Sequence, residues 1–321
     1  MGENLTDRWR DLGNQRLVVP LVVALGKVDS ALVQAELGPN LTLVVDPTAD
    51  DLEQAVGAIV RAAPVVDVAA FDSMPNLRVL ARTGVGTEKV DLAEASKRGI
   101  PVVITPGSNT NAVAEGALAF ILHLSKRLAP LTDLVREGRW HERDGLPLGD
   151  IEGATCGIIG FGRIGRRLAE VLTVMGARVL AFDPFAEIPE AMRVDSLEAL
   201  LAQSNIVSLH APLTQDNHGL LSRSTLALLP KGAIVVNCSR GPLLNLDDAL
   251  EALNSGQLLG LGLDVFDDEP PAHHPLFDHP AVALTPHVMG LSQRAAAQTF
   301  VDAARGIRAV LEGREPFAKA N

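Results

Sequence analysis

One hexapeptide constrains this chain more than any other feature. Gly160-Phe161-Gly162-Arg163-Ile164-Gly165 follows an apolar run, Thr155–Ile159, and opens a helical pattern over 166–175. Strand, tight turn, then helix is the setting in which a G-x-G-x-x-G segment holds a dinucleotide. Gly160 makes the turn, Gly162 lets backbone approach a pyrophosphate, and Gly165 lets the helix pack near the strand. Backbone N–H groups at the helix start and the positive end of its dipole favour the phosphates. Asp183 lies eighteen residues beyond Gly165, at the end of the next apolar run. A carboxylate there accepts hydrogen bonds from ribose hydroxyls and repels a 2′-phosphate, which selects NAD over NADP. No Arg stands between Asp183 and Glu187 to receive that phosphate. Taken alone, Asp183 also reads as a solvated turn residue.

The rest of the chain repeats the same alternation. Runs 17–24, 41–45, 78–81 and 102–105 are short, β-rich and bounded by Gly, Pro or Asp, while 29–37 and 90–98 carry helical spacing. A long helix is expected over 112–128 with Asn111 as its N-cap. Residues 136–150 are polar and rich in Gly and Pro and read as a connection. Beyond it, strands are expected at 155–160, 177–182, 205–209, 233–237, 258–265 and 281–284. An acidic, proline-rich loop follows over 266–280, then a closing helix over 292–312. Such alternation predicts parallel sheets covered on both faces. The second α/β unit is inserted between the first and the closing helix.

Composition narrows the function classes. The 321 residues carry 39 Asp and Glu against 28 Lys and Arg, for a net charge of −11, and no long basic run. Aromatics are nine Phe, two Trp and no Tyr. Phosphate-backbone binding and base stacking are therefore poor expectations, and no nucleic-acid partner is expected. The apolar run 17–25 is nine residues long and contains Pro20, too short to cross a bilayer. The polar stretch 1–11 has no signal-peptide core. Cys156 and Cys238 both sit in apolar runs and read as reduced, buried thiols. A soluble cytoplasmic protein with no membrane partner is the expectation.

Three polar residues stand just past strand ends of the second unit: Arg240 in Asn-Cys-Ser-Arg-Gly, Glu269 in Asp-Asp-Glu-Pro and His287 in Thr-Pro-His. In open α/β sheets ligands bind outside the carboxyl ends of strands. The residue types suit redox chemistry on a hydroxyacid. Arg offers a fixed fork for a carboxylate, His exchanges a hydroxyl proton near neutral pH, and a nearby Glu orients the imidazole and favours its protonated form. Each also has a bland reading: a capping Arg, one acid in an exposed run, one of eight histidines. A metal at His273, His274 and His279 is a poor reading, because H-H-x4-H on a proline-rich loop fixes no tetrahedral site.

These residues resemble the D-isomer-specific 2-hydroxyacid dehydrogenases. The resemblance spans about 75–313. It is carried by Ala81-Arg82-Thr83-Gly84-Val85-Gly86, by Gly160 to Gly165, and by Ser208-Leu209-His210-Ala211-Pro212-Leu213. Asn237 to Gly241, Gly262 to Phe266 with Glu269-Pro270, and Thr285-Pro286-His287 complete it in the same order. It implies a Rossmann NAD-binding domain (110–289) inserted into a flavodoxin-like substrate-binding domain (1–109 and 290–321). Both are doubly wound parallel-sheet α/β domains.

The resemblance also implies residue roles. Arg240 holds the substrate carboxylate and 2-oxo group, and His287 is the acid/base with Glu269 as its partner. Backbone of Val85 and Gly86 binds the substrate from the other domain. Asp264 bonds the nicotinamide carboxamide, and Thr110, Arg163, Ile164, His210, Ala211, Pro212 and Cys238 line the NAD cofactor. A homodimer formed mainly by the nucleotide-binding domain is implied as well. Arg82 and 109–115 look closest to the phosphoglycerate dehydrogenase branch, where a second cation suits a phosphate or second carboxylate. Arg82 equally reads as a structural strand-end residue. The sequence stops at Asn321, so the regulatory module of many phosphoglycerate dehydrogenases is not expected. Val288-Met289-Gly290 departs from the family's small-residue stretch, and Met289 is expected to narrow or reshape the pocket beside the histidine. The same fold also occurs in NAD(H)-sensing corepressors, which stand as the alternative to a 2-oxoacid reductase.

Overall fold

The computed structural model describes residues 19–61 and 64–321. The chain divides into two compact units, Met1–Asn109 with Gln293–Asn321, and Thr110–Ser292. The division falls where the closing helix begins, three residues past the expected 289.

The first unit is a five-stranded parallel sheet of order β2-β1-β3-β4-β5. Its strands are β1 (Leu21–Leu25), β2 (Thr42–Val45), β3 (Ala55–Val60), β4 (Val79–Arg82) and β5 (Val102–Val103). Its helices are α1 (Ser30–Leu37), α2 (Ala49–Gln54), α3 (Val68–Asp72) and α4 (Leu92–Lys97). Each starts at a short polar side chain, Asp29, Thr48, Asp67 or Asp91, that accepts a backbone N–H of the first turn. The expected strand 17–24 begins at Leu21, and its first two residues lie outside the described residues. The strand β3, central in the sheet, was not among the expected ones.

Strand alternation supplies two cores. Val22, Ile59 and Val79 pack with Phe300, Ala303 and Ile307 of the closing helix Gln293–Leu311. Val23, Val60 and Leu80 pack with Phe71 and Val102 on the other face. The short edge strand β5 is covered by the chain end. Ala320 donates to the Val102 carbonyl and the Asn321 side chain accepts from the Val102 N–H, both at 2.8 Å.

The second unit opens with α5 (Thr110–Ser125) and α6 (Leu128–Arg136). Arg127, at φ +53°, breaks the single helix expected over 112–128. Asn111 is not the cap: it lies in the first turn and its Oδ1 accepts from Arg167 Nε at 2.9 Å. A 3₁₀ turn, Trp140–Gly145, interrupts the expected connection.

Then follow β6 (Thr155–Ile159), α7 (Arg163–Val174), β7 (Arg178–Phe182), α8 (Leu197–Leu201), β8 (Ile206–Leu209) and α9 (Arg223–Leu226). The unit ends with β9 (Ala233–Asn237), α10 (Leu246–Asn254), β10 (Leu258–Leu263) and β11 (Val282–Leu284). All six strands are parallel, in the order β11-β10-β9-β8-β6-β7. The order reverses between β6 and β8, the switch point where ligands bind in such sheets.

The register positions the site. Phe182 pairs with Ile159, Ile159 with Leu209, Leu209 with Asn237, Asn237 with Leu263, and Leu263 with Leu284. One line therefore crosses the whole sheet at its carboxyl edge. The next residue along each strand is Asp183, Gly160, His210, Cys238, Asp264 or Thr285. Among the described residues no helix is long and apolar enough to cross a membrane.

Candidate active site

The cofactor cradle is built at the β6/β8 switch point. Gly160 sits at φ +91°, and a Cβ there would fall 2.5 Å from the Ala211 nitrogen and 2.6 Å from the His210 carbonyl carbon. The two loops touch only because position 160 has no side chain. A Cβ on Gly165 would fall 2.1 Å from the Gly160 oxygen, whereas one on Gly162 would meet nothing within 4 Å. Gly162 is the N-cap of α7 with no side-chain cap, so the helix start presents its N–H groups to open space. Arg163 and Ile164 form the first turn behind it.

Asp183 is held in place by three backbone donors. Oδ2 accepts from the Phe161 N–H at 2.7 Å, and Oδ1 accepts from Phe185 and Ala186 at 2.8 and 3.1 Å. The carboxylate is thereby tied to the glycine turn. Arg166, overlooked in the sequence, reaches the same corner. Its guanidinium donates to the carbonyls of Phe161 (2.9 Å) and Glu187 (2.7 Å) and stacks over the Phe161 ring at 5.0 Å.

His210 closes the other side. Its Nε2 is 2.9 Å from Ser208 Oγ, while its Nδ1 is buried with no hydrogen-bond partner. Burial pulls its pKa down to about 4, so the ring is neutral. A buried nitrogen with no protein partner beside the glycine cradle suits a polar ligand group. With the uncapped start of α7 and the anchored Asp183, these residues fit a dinucleotide. Ala211 accepts the Ser239 hydroxyl, and Pro212 accepts Asn217 Nδ2 at 2.7 Å, which fixes that loop. Burial, together with the Asp264 charge, pushes the Cys238 thiol up, so Cys238 contributes shape rather than a nucleophile.

The candidate catalytic groups stand past the ends of β9, β10 and β11. His287 Nδ1 lies 2.7 Å from Glu269 Oε2, and both side chains are partly exposed. Glu269 Oε1 accepts the Phe266 N–H at 3.2 Å, which fixes the carboxylate against its own loop. Arg240 is shaped by Asn237, whose side chain accepts the Ser239 N–H (3.0 Å) and donates to the Arg240 carbonyl (2.8 Å). Arg240 Nη1 donates to the Ser239 carbonyl at 2.8 Å. A Cβ on Gly241 would fall 2.1 Å from the Phe266 carbonyl carbon and 2.4 Å from the Asp267 nitrogen. The Arg240 turn therefore lies directly on the loop that carries Glu269. An Asn at a strand end and a Gly after Arg were the available sequence signals for this contact.

Asp264 is buried and accepts three hydrogen bonds from the turn that bears His287. They come from Thr285 Oγ1 (2.6 Å), the Val288 N–H (2.9 Å) and the Met289 N–H (3.1 Å). A carboxylate has about four acceptor sites, so one remains for a further donor. The Met289 side chain lies on Gly116 of α5 and against the core. His273 pairs with Asp278 and His274 with Asp247, while His279 Nδ1 accepts the Ala281 N–H. Among the described residues no group of three His, Cys, Asp or Glu side chains is placed to hold a metal. A groove of about 400 Å³ lies at the opposite ends of β10 and β11, lined by Leu124, Leu258 and Val282, remote from this chemistry.

The remaining predicted residues belong to the first unit. Gly84, at φ +128°, follows β4. Its N–H donates to buried Thr105 Oγ1 at 2.7 Å, and the Thr105 N–H returns to the Gly84 carbonyl at 3.0 Å. This pair fixes the turn that carries exposed Val85 and half-buried Gly86. Arg82 donates to the Thr83 carbonyl at the same strand end.

Residues 118–289 match the family model described as D-isomer specific 2-hydroxyacid dehydrogenase, NAD binding domain. The chain belongs to this family. The D-3-phosphoglycerate dehydrogenase of Mycobacterium tuberculosis is 34% identical over 305 residues, covering 92% of this chain and 57% of that protein. The chain thus spans about half the length of the phosphoglycerate dehydrogenases it matches. A glyoxylate reductase of Thermofilum pendens is 35% identical over 265 residues, covering 80% of this chain and 78% of that protein. Among solved structures, the TT0316 protein from Thermus thermophilus superposes with a TM-score of 0.86 at 34% identity, over 94% of this chain and 100% of that one. The α/β fold with parallel sheets is that of the 2-hydroxyacid dehydrogenases, and the second unit carries the family's NAD-binding domain.

Proposed function

We propose that this chain is an NAD-dependent D-2-hydroxyacid dehydrogenase that moves a hydride between NAD(H) and a small 2-oxoacid or 2-hydroxyacid. The observation that carries this reading is the 2.7 Å contact between His287 and Glu269 at the carboxyl edge of an NAD-binding sheet. Glu269 takes the Nδ1–H of His287 and holds the ring. Nε2 is then left to give a proton to the 2-oxo oxygen in reduction and to take it back in oxidation. Arg240 presents its guanidinium fork to the substrate carboxylate and 2-oxo group. Bound NADH supplies the hydride.

In this reading Asp183 receives the adenosine ribose hydroxyls, and Gly162 with the first N–H groups of α7 receives the pyrophosphate. The open acceptor site of Asp264 takes the nicotinamide carboxamide. Thr110, Arg163, Ile164, His210, Ala211, Pro212 and Cys238 line the cofactor. Arg82 and the backbone of Val85 and Gly86 meet the substrate. A phosphorylated or dicarboxylic 2-oxoacid suits Arg82, and the phosphoglycerate dehydrogenase relatives support that branch. Glyoxylate is the next candidate, on the strength of the archaeal relative.

The active form is a homodimer made through the NAD-binding unit, supported by exposed Val135, Trp140 and Leu148 in and after α6. The two buried free thiols support a reducing, cytoplasmic setting.

The test is NADH oxidation against glyoxylate, hydroxypyruvate, phosphohydroxypyruvate and longer 2-oxoacids. Turnover with at least one is the expected result. No turnover with any of them, with NADH-dependent assembly instead, overturns the enzyme reading in favour of an NAD(H)-sensing binding protein.

A further inference from the structure

His287 stands at φ +53°, in the left-handed region that a residue with a side chain rarely adopts. Something must hold it there. From below, the Asp264 carboxylate grips both sides of the turn through Thr285, Val288 and Met289. The turn is anchored a second time two residues beyond the histidine. The Met289 side chain lies flat on Gly116 of α5, where a Cβ would fall 2.4 Å from its sulfur, 2.7 Å from Cγ and 2.8 Å from Cβ. The fit requires a bare position on the helix and a long, unbranched side chain above it. Met289 packs against the core cluster that includes Val113, Ala117 and Phe120 of the same helix. Glu269 lies on the ring and Asp264 beneath the backbone of the His287 turn.

We propose that Met289, seated on Gly116, is a positioning residue that fixes the His287 imidazole against Glu269. This rests on the dehydrogenase reading only for its kinetic consequence. The geometric claim concerns the chain itself. Met289 acts through the backbone: moving its side chain off Gly116 pulls its N–H away from Asp264 Oδ2, loosens the left-handed turn and swings the ring from Glu269. A shift of about 1 Å in an acid/base group is enough to lower turnover by up to about a hundredfold.

The experiment pairs Gly116→Ala with Met289→Ala and the double variant, reading kcat, KM, the pH–rate profile, NADH affinity and the NMR titration of the His287 ring. Gly116→Ala should lower kcat by about tenfold or more, leave NADH affinity within about twofold, and change the NMR signature of the His287 ring as its contact with Glu269 is lost. Met289→Ala should produce a milder change of the same sign. The double variant, relieved of the clash, should return to the Met289→Ala level, and Met289→Leu should keep most of the activity. The proposal is overturned if Gly116→Ala leaves kcat and the His287 titration unchanged, or if the double variant is no better than Gly116→Ala. Should Gly116→Ala fail to fold, a Met289→Ala protein with a lower Tm but an unaltered His287 titration overturns it equally, because Met289 is then only a packing residue. If wild type reduces no 2-oxoacid, the NMR titration still decides the matter, and only the functional reading is lost.

Discussion

His287 Nδ1 and Glu269 Oε2 are 2.7 Å apart, although eighteen residues and a proline-rich loop separate them in the chain. A carboxylate at that distance holds the ring and fixes which nitrogen faces the substrate. Glu269→Gln keeps the shape and removes the charge. The expected outcome is a fall in kcat of about 10–100-fold with NADH affinity retained. The pH–rate profile should differ from that of wild type. A profile superimposable on wild type contradicts the role given to Glu269.

Asp183 is anchored by three backbone N–H groups, so its charge cannot swing away from a 2′-phosphate. NADH should therefore be strongly preferred over NADPH. Asp183→Ala should narrow that preference mainly through a weaker NADH KM, which steady-state kinetics with both cofactors measures. Equal kcat/KM values for the two cofactors in wild type contradict the assignment.

The His210 ring, half-buried with its Nδ1 enclosed, makes stability depend on pH. Its folded pKa of about 4 lies below the unfolded value of 6.5. Between those values the unfolded chain takes a proton that the folded chain refuses. The contribution is complete above pH 6.5 and is lost as pH falls toward 4. From pH 7 to pH 5 the loss should be about 2 kcal/mol. Urea melts at the two pH values should show His210→Gln losing less than wild type by about that amount. Equal losses in both proteins contradict the burial effect.

The sequence disclosed most of the second unit because its punctuation is clean. Gly160 and Asp183 mark the ends of β6 and β7, and all six strand runs appear close to their expected bounds. The first unit was harder to read. Strand β3 begins at Ala55, directly after Gln54 ends α2, with no Gly or Pro between them. Ala-Val-Gly-Ala-Ile-Val is apolar throughout and carries no period, so only the sheet identifies it as a strand.

The same limit applies at the site. Residue types named Arg240, Glu269 and His287, but the contact of Gly241 with the Phe266–Asp267 peptide and of Gly116 with Met289 is tertiary. Gly116, inside a helix, gives no local sign of its contact, whereas Asn237 and Gly241 at a strand end give a partial one of theirs. The Met289 departure was visible in the sequence, yet its direction was not, because the socket lies more than 170 residues earlier in the chain.

The central claim is that Arg240 and His287, set past the ends of β9 and β11, act on one substrate beside the cofactor. The most direct measurement is turnover and NADH binding of Arg240→Ala and His287→Ala, with the best 2-oxoacid of the panel. Both variants should lose about 10²–10⁴-fold in kcat/KM while binding NADH as wild type does. Wild-type turnover in either variant contradicts the account.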